Sequence, residues 1–129
     1  MASDRLNSAT ALMDGIARGE VDRSLFSSDA LWWVMGVGDM PVDVLLGHFA
    51  TASAERAGPG AMRVHGVTEE GERIALEVES VNPMKDGRTY NNTYHFLVCF
   101  EGDKIRQVRE YYDSAYAANF RAGNAATTP

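Results

Sequence analysis

Three glutamates and a short run of phenols and amides are the groups in this chain best suited to moving or holding a proton. Glu110 lies in VREYY, and Glu77 and Glu79 lie in IALEVES. A carboxyl group becomes useful as an acid or base near neutral pH when it is kept out of water, which raises its pKa. Two carboxylates side by side have a related effect, because repulsion keeps one of them protonated. Glu79 next to Glu110 would therefore make an acid and a base of a like pair. The stretch RTYNNTYHFLVCF, residues 88–100, adds Tyr90, Asn92 and Tyr94. In a dry site such hydroxyl and amide donors steady charge that develops on a carbonyl or enolate oxygen.

Positioning these groups requires strands, in which alternate side chains share a face. Along the stretch 88–100, Tyr90, Asn92, Tyr94, Phe96, Val98 and Phe100 stand on one parity, and Asn91, Thr93, His95, Leu97 and Cys99 on the other. Around Glu110, Val108 and Tyr112 share its side and Gln107, Arg109 and Tyr111 oppose it, so periodicity alone does not choose its face. For Glu77 and Glu79 the alternation with Ile74, Leu76 and Val78 sends the aliphatic side inward and the glutamates to water. Trp32 and Trp33 are adjacent on a strand, so one faces inward and the other outward; which one stays open.

Other chemistries find little support. The histidines His48, His65 and His95 have no second ligand at helical or hairpin spacing, so no metal is expected. There is no glycine-rich dinucleotide fingerprint, P-loop or serine nucleophile elbow, so no cofactor is expected. A net charge of −6 with 12 Lys and Arg and no basic stripe argues against nucleic acid. The single Cys99, without a secretory signal or a membrane-length apolar run, points to a soluble cytoplasmic protein with no membrane partner. His95 is expected on the outer face, Cys99 in packing, and Asp29 and Asp113 in turn and cap roles.

The 129 residues suit one domain, 1–129. Leu6, Ala9, Leu12, Met13 and Ile16 have helical spacing, with Ser3 as cap and Gly19 as stop. One further turn is expected at 23–28, a strand at 31–37 and a loop at GVGDMP. A second helix through Val42, Leu45, Leu46, Phe49 and Ala52 should end near Gly58. Four strands follow at 62–68, 73–81, 89–100 and 105–112, turning at EEGE, KDGR and EGDK. A short helix SAYAANF, capped by Asp113, precedes a flexible tail across 120–129. Helices first and antiparallel strands after them give an α+β class, helices on one face of a curved sheet.

This order, with FSSDALWWV, the Tyr-x-Asn-x-Tyr of the long strand and the closing REYYD, resembles the SnoaL-like and ketosteroid-isomerase-like branch of the nuclear transport factor 2-like superfamily. The resemblance spans nearly the whole chain. It implies a cone-shaped α+β barrel of the cystatin-like kind, with N-terminal helices packed on a strongly curved, mainly antiparallel sheet. It further implies a pocket inside the cone and a homodimer through the outer sheet face. Steroid isomerases of this superfamily carry their proton-transfer groups at positions matched here by Val34 and Phe96, neither of which can move a proton. The limonene epoxide hydrolase trio matches Glu79, Glu77 and Glu110, with its arginine missing. The polyketide cyclase pair matches Phe96 and Glu110. The resemblance thus implies Glu110 and Glu79 as catalytic residues, with Asn92, Tyr94, Tyr90, Trp32, Phe96, Glu77 and Tyr112 around the ligand. The expected function is acid/base chemistry of the isomerase, lyase or cyclase kind on a small, mostly apolar organic molecule. The alternative is a non-catalytic small-molecule-binding or protein-interaction module of the same fold.

Overall fold

A computed structural model describes residues 2–123 of the chain. Its first helix, α1 (Asp4–Arg18), starts where the sequence places it. Ser3 Oγ accepts the Leu6 N–H at 3.0 Å, and Gly19 closes the helix in the left-handed region, φ 76°. The face carrying Ala9, Leu12, Met13 and Ile16 is buried against the sheet.

A 3-10 turn spans only Arg23–Leu25, after which β1 (Phe26–Val34) begins five residues before the expected strand. Its first half, FSSDA, is polar at 27–29, with Ser27 half-buried and Ser28 and Asp29 exposed, which is why alternation does not reveal it. The expected loop GVGDMP contains β2 (Gly38–Pro41), a short strand that turns back on β1. Helix α2 (Val42–Ser53) follows. Next come β3 (Ala61–Glu70), β4 (Arg73–Pro83), β5 (Thr89–Tyr90), β6 (Thr93–Glu101), β7 (Lys104–Tyr112) and α3 (Ser114–Arg121). Asp113 caps α3 by accepting the Tyr116 N–H at 3.0 Å. The tail expected from residue 120 starts later, since Phe120 and Arg121 belong to α3, and residues 124–129 lie outside the described residues.

The sheet order is β2-β1-β7-β6-β4-β3, with β5 on β4. All pairs are antiparallel except β1 with β7. The expected meander is therefore present, and the parallel addition of β1 brings Trp32 and Val34 beside Val108 and Glu110. The described residues form an α+β cone, open at its edges, with three helices on a seven-stranded sheet.

The long strand expected at 89–100 breaks at Asn91 and Asn92. Asn92 Oδ1 accepts the Thr93 N–H at 2.8 Å, and its Nδ2 donates to the Tyr90 hydroxyl at 2.7 Å and to the Asp113 carbonyl at 3.1 Å. Asn91 Nδ2 donates to Glu79 Oε2 and to the Ser80 carbonyl, both at 2.8 Å. Side-chain amides here compete with the backbone ladder and interrupt it.

Even-numbered residues face the interior through the centre of the sheet. The register sets Val78 opposite Tyr94, Tyr94 opposite Tyr112, Phe96 opposite Glu110, and Val98 opposite Val108. A bulge between Cys99 and Phe100 shifts the phase, so that odd-numbered Ile105 joins Phe100 in the core and Cys99 is buried as well. No helix among the described residues is long and apolar enough to cross a membrane.

Candidate functional site

Glu110 sits on β7 between Phe96 of β6 and Val34 of β1. The two apolar residues Phe96 and Val34 are thus the cross-strand neighbours of the carboxyl. They help exclude water from it. Trp32, fully buried with its ring edge-on to Phe49 and Phe96, donates Nε1–H to Glu110 Oε1 at 2.9 Å. Burial raises the Glu110 pKa from 4.5 to about 7, and the Trp32 bond opposes that rise without overcoming it. Near neutrality the group is divided between its two protonation states, as a proton carrier should be.

Glu110 lines a cavity of about 370 Å³, inside the range of roughly 300–1,000 Å³ common for small-ligand sites. The sheet contributes Met62, Ser80, Asn82, Tyr90, Tyr94, Phe96 and Glu110 to its wall; the helices contribute Ile16, Phe49, Ala52, Ala117, Phe120 and Arg121. Glu55, Arg56 and Met84 complete it. Tyr94 stacks on Phe96 with centroids 5.2 Å apart, and Tyr90 packs edge-on to Phe120 at 5.0 Å. Burial raises the pKa of both phenols, that of Tyr94 strongly, and the negative charge of Glu110 adds to the rise. Both therefore stay protonated at neutral pH, each keeping a hydroxyl hydrogen that can be donated.

Several expected site residues take other positions. Glu79 is on the outer face, accepting from Asn91 Nδ2 at 2.8 Å and lying 3.1 Å from His65 Nε2, contacts that lower its pKa. Glu77 is exposed, its carboxylate over Gly66, where an added Cβ would stand 2.5 Å from Oε1. Neither lines the cavity, and no Glu79–Glu110 pair exists. The physical reason is the alternation itself: Ile74, Leu76, Val78 and Ser80 are the buried side of β4, so the glutamates must face out.

Asn92 is also displaced from its expected role. It is 1% exposed, and both amide hydrogens are taken, by the Tyr90 hydroxyl and the Asp113 carbonyl. It holds Tyr90 and is not among the residues lining the cavity. Tyr112 is half-buried beside Tyr94, with centroids 6.4 Å apart, outside the lining, and Trp32 acts one layer behind it through Glu110. The open choice between the tryptophans is resolved, with Trp33 on the outer face, where it packs on Tyr111 and under Arg109. His95 is exposed on that same face.

Sequence reasoning missed Ser80 and Arg56. Ser80 was legible as the end of the stripe Ile74, Leu76, Val78, and its hydroxyl accepts the Asn92 N–H at 3.1 Å and donates to the Asn92 carbonyl at 3.4 Å. Arg56 carries no periodic signal, because it lies in the turn after α2. Its guanidinium donates to the carbonyls of Ile16, at 3.0 Å, and Ala17, at the end of α1.

No family model matches the chain, and no curated protein matches it in sequence. Solved structures do match in shape. A candidate SnoaL-like polyketide cyclase from Jannaschia sp. CCS1 aligns with a TM-score of 0.78 at 10% identity, covering 95% of this chain and 94% of its own. A protein with a ketosteroid isomerase-like fold from Catenulispora acidiphila, solved with trimethylamine, aligns at 0.74 with 17% identity, covering 95% and 97%. An NTF2-like protein from Anabaena variabilis aligns at 0.72 with 23% identity, covering 88% and 92%. Identities this low speak to fold alone, and that fold is the one shared by SnoaL-like, ketosteroid-isomerase-like and nuclear transport factor 2-like proteins.

Proposed function

We propose that the chain binds a small, mostly apolar carbonyl compound in the cavity and moves a proton on it. The observation that carries this reading is Glu110, a carboxyl in the cavity wall with apolar neighbours on both strands and a pKa of about 7. In the ionised form it takes a proton from the carbon next to the ligand carbonyl. The electron pair of the broken C–H bond moves to the carbonyl oxygen, where the Tyr94 and Tyr90 hydroxyls donate to the enolate. Return of the proton to another carbon gives an isomerase. Attack of the enolate carbon on a second carbonyl gives a cyclase, and loss of a β-substituent gives a lyase. The likeness in shape to a candidate polyketide cyclase favours the second outcome without selecting it.

The test is deuterium incorporation from D2O into a panel of one- to three-ring ketones, followed by NMR. Wild-type protein should accelerate exchange at the carbon next to the carbonyl, and Glu110→Gln should abolish it while folding normally. Equal exchange by both proteins would remove Glu110 from the chemistry. Equal binding with no exchange by either favours the second reading, a binding module, which rests on the loss of proton carriers at Val34 and Phe96.

A homodimer through the outer sheet face belongs to the same proposal. Trp33, Tyr111 and Leu97 place half-buried apolar surface there, with Arg109 stacked across it. Sedimentation should give twice the chain mass, and Leu97→Asp should yield a monomer; a monomeric wild type would exclude the dimer.

A further inference from the structure

We propose that the ligand of this cavity is an organic acid, an apolar body whose anionic oxygen lies against Arg56. This rests on the reading that the cavity is the binding site. Arg56 lines it, yet the side chain has no carboxylate partner among the described residues. Its bonds go to the Ile16 and Ala17 carbonyls, which fix its direction and leave its formal charge unbalanced. The nearby ionisable group is Tyr94, a neutral phenol at ordinary pH.

The fold makes room for this placement. Gly60 donates its N–H to the Ala17 carbonyl at 3.1 Å, and a Cβ there would stand 3.1 Å from an Arg56 terminal nitrogen and 1.9 Å from Asn82 Oδ1. Arg56 lines both the cavity and a smaller cleft that Arg18, Ser53 and Gly58 also line.

Charge points the same way. The chain carries −6 overall. The cavity wall, however, holds Arg56 and Arg121 against Glu55 and a Glu110 that is only partly ionised at neutrality. A locally positive, apolar-walled cavity in an acidic protein selects an anion with an apolar body. The competing role for Arg56 is purely structural, a cap on the last carbonyls of α1.

Calorimetric titration with 2-naphthoate and 2-naphthamide separates the two roles, because the ligands differ mainly in charge. Wild-type protein should bind the acid about tenfold more tightly than the amide. Arg56→Gln should weaken the acid by about tenfold and leave the amide within about twofold, and Arg56→Lys should keep part of the preference. Equal binding of acid and amide by wild type overturns the proposal. Equal weakening of both ligands in Arg56→Gln overturns it too, in favour of the cap. Ala52→Trp, which plugs the cavity wall from α2, should abolish binding of the acid. Unchanged binding there would sink the cavity reading itself, and no binding of either ligand to wild type would sink both.

Discussion

The indole N–H of Trp32 meets Oε1 of Glu110 at 2.9 Å, across the parallel pairing of β1 with β7. The bond fixes the carboxyl's direction and stabilises its anion, while Phe96 and Val34 help keep water away. The near-neutral pKa is the resultant of these opposing influences.

Replacing Glu110 with Gln should flatten one component of the pH dependence of stability. The folded pKa, about 7, exceeds the ordinary 4.5. Below pH 4.5 the group is neutral folded and unfolded and costs nothing. As pH rises from 4.5 to about 7 the unfolded chain ionises while the folded group keeps its proton, so stability falls, and above 7 the loss is complete. Glu110 faces the cavity, so the loss is on the order of 2 kcal/mol. Urea unfolding at pH 5 and pH 8 should show Glu110→Gln gaining that much on wild type at the higher pH.

Trp32→Phe should move the Glu110 pKa further upward, because the one bond that favours the anion disappears. The variant should also lose about 1–3 kcal/mol through the space left in the core. A carbon-13 NMR titration of labelled glutamate reads the first effect and denaturant unfolding the second. A downward shift would mean that the indole does not stabilise the carboxylate.

Asn92→Ala should cost about 2–3 kcal/mol, since it strips partners from the Thr93 N–H, the Asp113 carbonyl and the Tyr90 hydroxyl together. Thermal unfolding measures the loss. Hydrogen exchange at Thr93 should accelerate in the variant.

Glu79→Gln should leave ketone deuterium exchange as in wild type, in contrast to Glu110→Gln. Its carboxylate is on the far side of β4, tied to Asn91 and close to His65. A large loss of exchange in the Glu79 variant would contradict that placement.

Gly19→Ala should destabilise the fold by about 1–3 kcal/mol, combining a left-handed backbone with a clash. The new Cβ would stand 2.7 Å from Ser53 Cβ. Chemical denaturation provides the measurement, and a neutral result would require the α1–α2 junction to relax.

Much of the fold was legible because local chemistry and global position agree. Ser3 and Gly19 bracket α1, Asp113 caps α3, and the glycines of EEGE, KDGR and EGDK adopt positive φ at the turns between strands. The start of β1 was hidden because Ser27, Ser28 and Asp29 lack an apolar stripe, and β2 because Gly38 and Pro41 look like loop residues. In the site, alternation proved the better guide. It sent Glu77 and Glu79 outward, as they are, whereas carrying family positions over brought them in. Glu110 had no such local signal; its face follows from pairing with Phe96, a contact between segments that no single window displays. Arg56 was invisible for the same reason, since its partners lie some forty residues earlier, at the end of α1.

The cavity wall divides by origin: Glu110, Tyr94 and Ser80 come from adjacent strands, while Phe49, Ala52, Ala117 and Phe120 come from helices laid over them. The polar groups Glu110, Tyr94 and Ser80 and the size-setting groups of the helices therefore belong to separate pieces of backbone. Exchanging small for large residues on the helices can resize the chamber for a new guest while the strand register holds Glu110 and Tyr94 in place. A scaffold partitioned this way can change what it admits without disturbing the strands beneath.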